Sequence, residues 1–182
     1  RNATSSLDLV LNGDVDLSTE LKTDYAYTAN LAPTLTVPTG GSVTEDASTT
    51  TITGTLSASD PENDVPTYSV VGSTATDGSY TVTGTYGTLV LNASTGAYTY
   101  TLNNAATATN ALTASDSKTE SFSVQVTDGS NTPAAQSLSF TVKGANDAPS
   151  ITVSGLNDIA ENETNAIVAS VSASDVEDSS LA

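Results

Sequence analysis

The sequence predicts an all-β protein, an antiparallel Greek-key β-sandwich cut from a tandem array. Three observations predict it. Apolar residues alternate with Ser and Thr at period two in short runs, and no stretch carries a 3.6-residue period. Asp, Asn, Gly and Ser clusters, which favour turns, separate the runs. A block that begins near residue 32 recurs near residue 148.

Strands are expected in the following order. Leu7, Leu9 and Leu11 alternate with polar neighbours and predict one strand, and residues 24–28 another. From Thr51, Ile52, Gly54, Leu56 and Ala58 share one face while Thr51, Thr53, Thr55 and Ser57 share the other, so one strand is expected over 51–58. The acidic loop Asp60-Pro61-Glu62-Asn63-Asp64 follows. Tyr68 and Val70 mark the next strand, and Thr76-Asp77-Gly78 is a turn signal before the strand at Tyr80–Thr83. Residues 86–91 and 97–102 predict a hairpin about Ser94-Thr95-Gly96. Residues 103–115, rich in Ala and Asn, predict one helical turn or a compact loop. Phe122, Val124 and Val126 alternate before the turn at Asp128-Gly129, and Leu138, Phe140 and Val142 alternate in the last strand of the unit.

The repeat sets the expected organisation. Ala32-Pro33-Thr34-Leu35-Thr36-Val37 recurs as Ala148-Pro149-Ser150-Ile151-Thr152-Val153, Glu45-Asp46 recurs as Glu161-Asn162, and Ser57-Ala58-Ser59-Asp60-Pro61-Glu62 recurs as Ser172-Ala173-Ser174-Asp175-Val176-Glu177. Residues 32–147 are therefore read as a complete sandwich module. Residues 148–182 are read as the first strands of a following module, and residues 1–31 as the end of a preceding module or an exchanged strand segment. A two-strand piece cannot bury its own apolar face. It needs the rest of its module or a strand from a neighbouring chain.

Composition excludes several functions. The chain has 182 residues, 21 Asp+Glu against 4 Lys+Arg, and a net charge of −17. It has no Cys, His, Met or Trp. A Ser-His-Asp triad, a thiol nucleophile and an ordinary zinc site are all out of reach. Nucleic acid would be repelled, because its binding is driven by Lys and Arg, and the four here are scattered at Arg1, Lys22, Lys118 and Lys143. No apolar run approaches the ~18 residues of a membrane span. Roughly three residues in ten are Ser or Thr, and aromatics are 5%. High charge with modest hydrophobicity also fits disorder, but the periodic apolar residues argue against it.

The carboxylates cluster at turns: Glu45-Asp46; Asp60, Glu62 and Asp64; Asp128; the linker Asn146-Asp147; and Glu161, Glu163, Asp175, Glu177 and Asp178. Calcium takes six to eight oxygens from carboxylates, amide carbonyls, backbone and water. An Asp-x-Glu pair on a loop can aim two carboxylates at one point, and an Asn-Asp pair in a linker can close the cage. The plain alternative is that acidic loops are solvated and keep the chain soluble. The sequons Asn2-Ala-Thr4, Asn92-Ala-Ser94 and Asn162-Glu-Thr164 arise readily in so Ser/Thr-rich a chain. Paired carboxylates on turns, with no Trp, are a poor glycosidase site.

The runs Gly54-Thr-Leu-Ser-Ala-Ser-Asp, Tyr68-Ser-Val-Val-Gly, Gly84-Thr-Tyr-Gly-Thr-Leu-Val-Leu-Asn-Ala, Gly96-Ala-Tyr-Thr-Tyr-Thr-Leu, Phe122-Ser-Val-Gln-Val-Thr-Asp-Gly and Gly144-Ala-Asn-Asp-Ala-Pro together resemble a VCBS-type repeat. Such repeats build giant secreted bacterial proteins, including RTX-type adhesins. The resemblance implies an immunoglobulin- or cadherin-like sandwich, an extracellular or cell-surface location and no enzymatic activity. By similarity to cadherin-like modules, calcium would lie between consecutive modules. Asn146 and Asp147 would share it with Asp175 and Glu177, and Glu45 and Glu161 are further candidates. Asp60, Glu62 and Asp128 would serve the joint to the preceding module, where Leu31 stands in place of Asp147, and Asp64 of the same loop is a further candidate. The cadherin Leu-Asp-Arg-Glu motif and the nonapeptide calcium repeat are both missing.

The expected function is thus a structural extender of a secreted adhesin or biofilm-matrix protein, with calcium stiffening the joints. Its partners would be neighbouring modules or identical subunits, not nucleic acid. Two alternatives stand beside it: a filament subunit joined head-to-tail by strand exchange, and a module that binds carbohydrate or another surface.

Overall fold

A computed structural model describes residues 29–155 and 169–178. The expected strands at Leu7–Leu11 and 24–28, the candidates Glu161 and Glu163, and the sequons at Asn2 and Asn162 lie outside the described residues. The chain divides into two compact units, Arg1–Asn30 and Leu31–Ala182, and the description below concerns the second.

Strands dominate the described residues: β1 (Thr34–Thr36), β2 (Ser42–Thr44), β3 (Thr51–Thr55), β4 (Ser57–Ser59), β5 (Thr67–Val70), β6 (Ser79–Thr83), β7 (Gly87–Asn92), β8 (Ala97–Leu102), β9 (Ser117–Thr127), β10 (Gln136–Lys143), β11 (Ser150–Ser154) and β12 (Ser170–Ser174). One helical turn, α1 (Thr107–Asn110), interrupts them. It falls where Ala and Asn lack any strand alternation. One four-stranded sheet runs β2-β10-β9-β5 and the other β3-β8-β7-β6. Pairing is antiparallel except where β2 runs parallel to β10.

The inner faces of the two sheets make the core. Tyr100 of β8 stacks on Phe140 of β10, with centroids 4.3 Å apart, and Tyr98 meets the same ring edge-on at 5.9 Å. Leu89 and Leu91 of β7, Val124 and Val126 of β9, and Leu138 and Val142 of β10 are fully buried around them. Each such side chain stabilises the fold by about 1.5–3 kcal/mol. Tyr98 and Tyr100 are thus packing residues, as their inward register requires.

The 86–102 hairpin forms as expected, with Gly87 opposite Leu102 and Leu91 opposite Tyr98. Its turn is held by Asn92, whose Oδ1 accepts hydrogen bonds from the Ser94 and Thr95 amides. The Asp77-Gly78 signal becomes a two-residue turn with both residues at positive φ, closed by paired bonds between Thr76 and Ser79.

Two expectations need correction. The single strand over 51–58 breaks at Leu56. Thr51–Thr55 pairs with β8, whereas Ser57–Ser59 pairs with β1. The Leu56 amide bonds to Gly96, where the hairpin turn ends and β8 has no more rungs to offer. The strand expected near 121 begins instead at Ser117, which carries Glu120 into the inward register of Phe122.

The β1–β4 pairing recurs downstream. Thr34↔Ser59, Leu35↔Ala58 and Thr36↔Ser57 correspond to Ser150↔Ser174, Ile151↔Ala173 and Thr152↔Ser172 in β11–β12. Leu35 is buried in the core, but Ile151 is 69% exposed and Val171 68%.

Candidate functional site

Two acidic loops, one after β4 and one after β12, fold into the same clasp. In the first, Asp60 Oδ1 accepts the amides of Glu62 (2.9 Å) and Asp64 (3.1 Å), and the aimed Glu62 carboxylate accepts the Leu31 amide at 3.1 Å. In the second, Asp175 Oδ1 accepts the amides of Glu177 (3.0 Å) and Asp178 (2.9 Å), and Glu177 Oε1 accepts the Asp147 amide at 2.7 Å. The chemistry follows from the spacing. An Asp side chain bonds readily to the amide two residues on. That turn projects the next carboxylate toward the linker. Each linker is therefore held by an amide-to-carboxylate hydrogen bond of the charge-assisted kind.

The two clasps lie at opposite ends of the module. Thr67, which follows the first loop, faces Thr127 at the end of β9, whereas Lys143 faces Ser117 at its start. Ten residue steps of strand separate these ends, about 33 Å. Asp128 lies at the first end. There its Oδ1 accepts the Ser130 and Asn131 amides at 2.7 and 2.6 Å, and it organises its own turn.

The second end gathers more charge. Glu45 follows β2, and its amide bonds to the Lys143 carbonyl at 2.9 Å. Its side chain is 2% exposed. Oε2 accepts the Ala145 amide at 3.4 Å, while Oε1 is buried without a partner. Removal from water, then repulsion from Asp147, Asp46 and Glu177, raises its pKa above the ordinary 4.5, against the lowering effect of the Ala145 amide. Asp147 is raised too, by desolvation first, then by a carboxyl hydrogen bond with Asp46 and by repulsion from Glu177, Asp46 and Asp175. Asn146 donates its side-chain amide to the Asp147 carbonyl at 2.6 Å. Glu177 Oε2 is a second buried oxygen with no partner, and at the first end Asp60 Oδ2 is buried and unpartnered too.

The structure thus brings Glu45, Asn146, Asp147, Asp175 and Glu177 to one end, and Asp60, Glu62, Asp64 and Asp128 to the other. Asp46, outside the candidate set, joins the first group through Asp147. Among the described residues no three carboxylates converge in ligating geometry. What favours a cation at the second end is its donor chemistry: hard oxygens, two of them buried and unpartnered, and neighbouring carboxylates of Asp46, Asp147 and Glu177 that repel one another.

One buried carboxylate escaped the sequence reading. Glu120 is 7% exposed, and all its bonds are internal. Oε1 accepts the amides of Thr85 and Tyr86, the latter at 2.9 Å, and Oε2 accepts the Tyr100 hydroxyl at 2.6 Å. It pins β9 to the opposite sheet. Its signal in the sequence was parity, since Glu120 shares the register of Phe122, Val124 and Val126.

No helix among the described residues is long and apolar enough to cross a membrane. Comparison with curated proteins gives no match. Residues 30–144 match the bacterial cadherin-like domain. Domains of that kind are structural, non-enzymatic, typically extracellular modules that commonly bind calcium. The match spans more than half of the sequence and takes in the whole two-sheet core, so the chain belongs to the bacterial cadherin-like domain family.

Proposed function

We propose that this chain is an extender of a bacterial cell-surface or biofilm-matrix adhesin, and that its inter-module joint is stiffened by calcium. The observation that carries the reading is Glu45, buried beside the linker with one carboxylate oxygen unanswered and only acidic side chains acting on its charge. Bound calcium would supply the positive charge this cluster lacks. Glu45 would hold it from the module, Asp147 from the linker and Glu177 from the following pair of strands, with Asp46, Asn146 and Asp175 around them. Joining three segments at one point resists bending. The clasp at the other end, with Asp60, Glu62, Asp64 and Asp128, has one carboxylate fewer, because Leu31 stands where the other linker has Asp147. Between joints, the load is borne by strand ladders and the buried aromatic core.

A second reading, the head-to-tail filament, is favoured by the apolar face of β11–β12. Ile151, Val153 and Val171 lie exposed where the equivalent Leu35 is buried. The missing cover comes either from the same chain or from a neighbour.

One set of thermal melts tests both. With saturating calcium against EDTA, the melting temperature should rise by on the order of 8 °C, and magnesium should give much less. Glu45→Gln combined with Glu177→Gln should abolish the rise. A calcium-independent melt that climbs with protein concentration would instead favour the filament.

A further inference from the structure

The same buried glutamate terminates a strand, and that ties the joint to the sandwich itself. β2 is three residues long and stands at the edge of its sheet. It is held by parallel rungs to Thr141, Val142 and Lys143 and by the burial of Val43. A strand this short is marginal by itself. The next rung is the Glu45 amide on the Lys143 carbonyl. The side chain on that rung has an unpartnered, buried oxygen and only a long bond, 3.4 Å, to the Ala145 amide. An unanswered buried charge opposes burial of the group that bears it. Seating β2 therefore forces Glu45 into an environment that pushes it out. On the upstream side the chain is anchored, since the Gly41 carbonyl accepts the Thr141 amide at 3.0 Å. On the downstream side Asp46 turns the chain out of β2 at φ 54° into an exposed loop, so it is the Glu45 end of the strand that can fray.

We infer that a divalent cation at the joint acts as a latch on the upstream module: by answering the Glu45 carboxylate it clamps β2 onto β10. This rests on the calcium reading above and extends it from the linker to the fold. When the cation is withdrawn, β2 frays from the sheet, and the outer edge of β10 at Thr141–Lys143 loses its partner. The ion thereby guards a strand edge that would otherwise pair with other chains. Joint stiffness and closure of this edge respond together to the same ion.

The test is hydrogen–deuterium exchange on the full chain, in EDTA and in calcium chloride, with binding of calcium measured separately by titration calorimetry. Peptides covering residues 41–46, and the Glu45 amide in particular, should exchange about tenfold more slowly with calcium. Peptides of the β7–β8 hairpin should change far less. Glu45→Gln keeps the shape and removes the charge. It should protect residues 41–46 in EDTA and remove the calcium increment there. If calorimetry shows no calcium binding, the reading of the joint fails and the latch with it. If calcium binds and raises the melting temperature while residues 41–46 exchange unchanged, the latch is overturned and the joint stands. A Glu45→Gln chain that stays unprotected at residues 41–46 in EDTA also overturns the latch.

Discussion

At the residue scale, two buried glutamates have opposite characters. Glu120 is fully answered by two amides and a phenol, whereas Glu45 keeps an unpartnered oxygen. Glu120→Ala leaves the Thr85 and Tyr86 amides and the Tyr100 hydroxyl without their acceptor. Each such buried group costs about 1–3 kcal/mol. The variant should lose about 3 kcal/mol or more in a urea melt. Glu120→Gln retains an acceptor for the amides and a donor for the phenol oxygen, and it should lose less than half as much. Equal losses would show that Glu120 stabilises by charge and not by hydrogen-bond geometry. The Tyr100 hydroxyl is itself pushed far above its ordinary pKa, by burial first and then by the glutamate, so it remains a donor at every accessible pH.

At the element scale, the β7–β8 turn organises the centre of the fold. Gly96 has φ +69°, and a Cβ there would lie 2.6 Å from the Leu56 carbonyl oxygen. That carbonyl belongs to the residue where the chain leaves β3 for β4. Gly96→Ala therefore meets both backbone strain and a steric clash with another strand's backbone. It should cost about 2–4 kcal/mol, measured by the same urea melt. Gly129→Ala, also at positive φ but in open space, should cost only the backbone part, about 1 kcal/mol.

At the scale of the whole molecule, the −17 charge is not spread evenly, and its concentration at the joint sets a pH dependence. Glu45 and Asp147 have folded pKa values raised above their unfolded ones. Their folded forms therefore hold protons that the unfolded chain has released. Their contribution is most favourable below the ordinary carboxylate range and is lost as pH rises through the raised values. In EDTA, the pair's contribution to the melting temperature should grow as pH is lowered toward the ordinary carboxylate range, and Glu45→Gln with Asp147→Asn should remove that gain. With calcium bound the gain should shrink, because proton and cation compete for the same oxygens. Asp116 carries the opposite sign. Hydrogen bonds from Lys118 and Thr113 hold it near about 2, so its contribution is present above the ordinary value and fades only as pH falls through about 2. It is silent between pH 5 and 7. A chain that gains nothing over the Glu45→Gln, Asp147→Asn variant on acidification in EDTA would contradict the strain assigned to the joint.

Much of this was legible because period-two alternation is a local property. Side chains at i and i+2 share a face wherever the strand lies. Phe122, Val124, Val126, Leu138, Phe140 and Val142 therefore shared faces in the sequence pattern, and all are buried. The Asx-type turns were legible too, since an Asp or Asn bonds to amides two or three residues away. The break at Leu56, the parallel seat of β2 and the burial of Glu120 were not, because each depends on which strand happens to be next door. Sequence by itself determined the sandwich, the repeat and the sign and clustering of the charge. Tertiary structure alone decided that Asp46, a hundred residues before the linker, joins Asp147, and that Glu45, placed at the joint beforehand only by the cadherin-like resemblance, is buried there with an unpartnered oxygen. Pairing β2 with β10 closes that distance, and no local pattern encodes a contact made by two strand ends meeting in space.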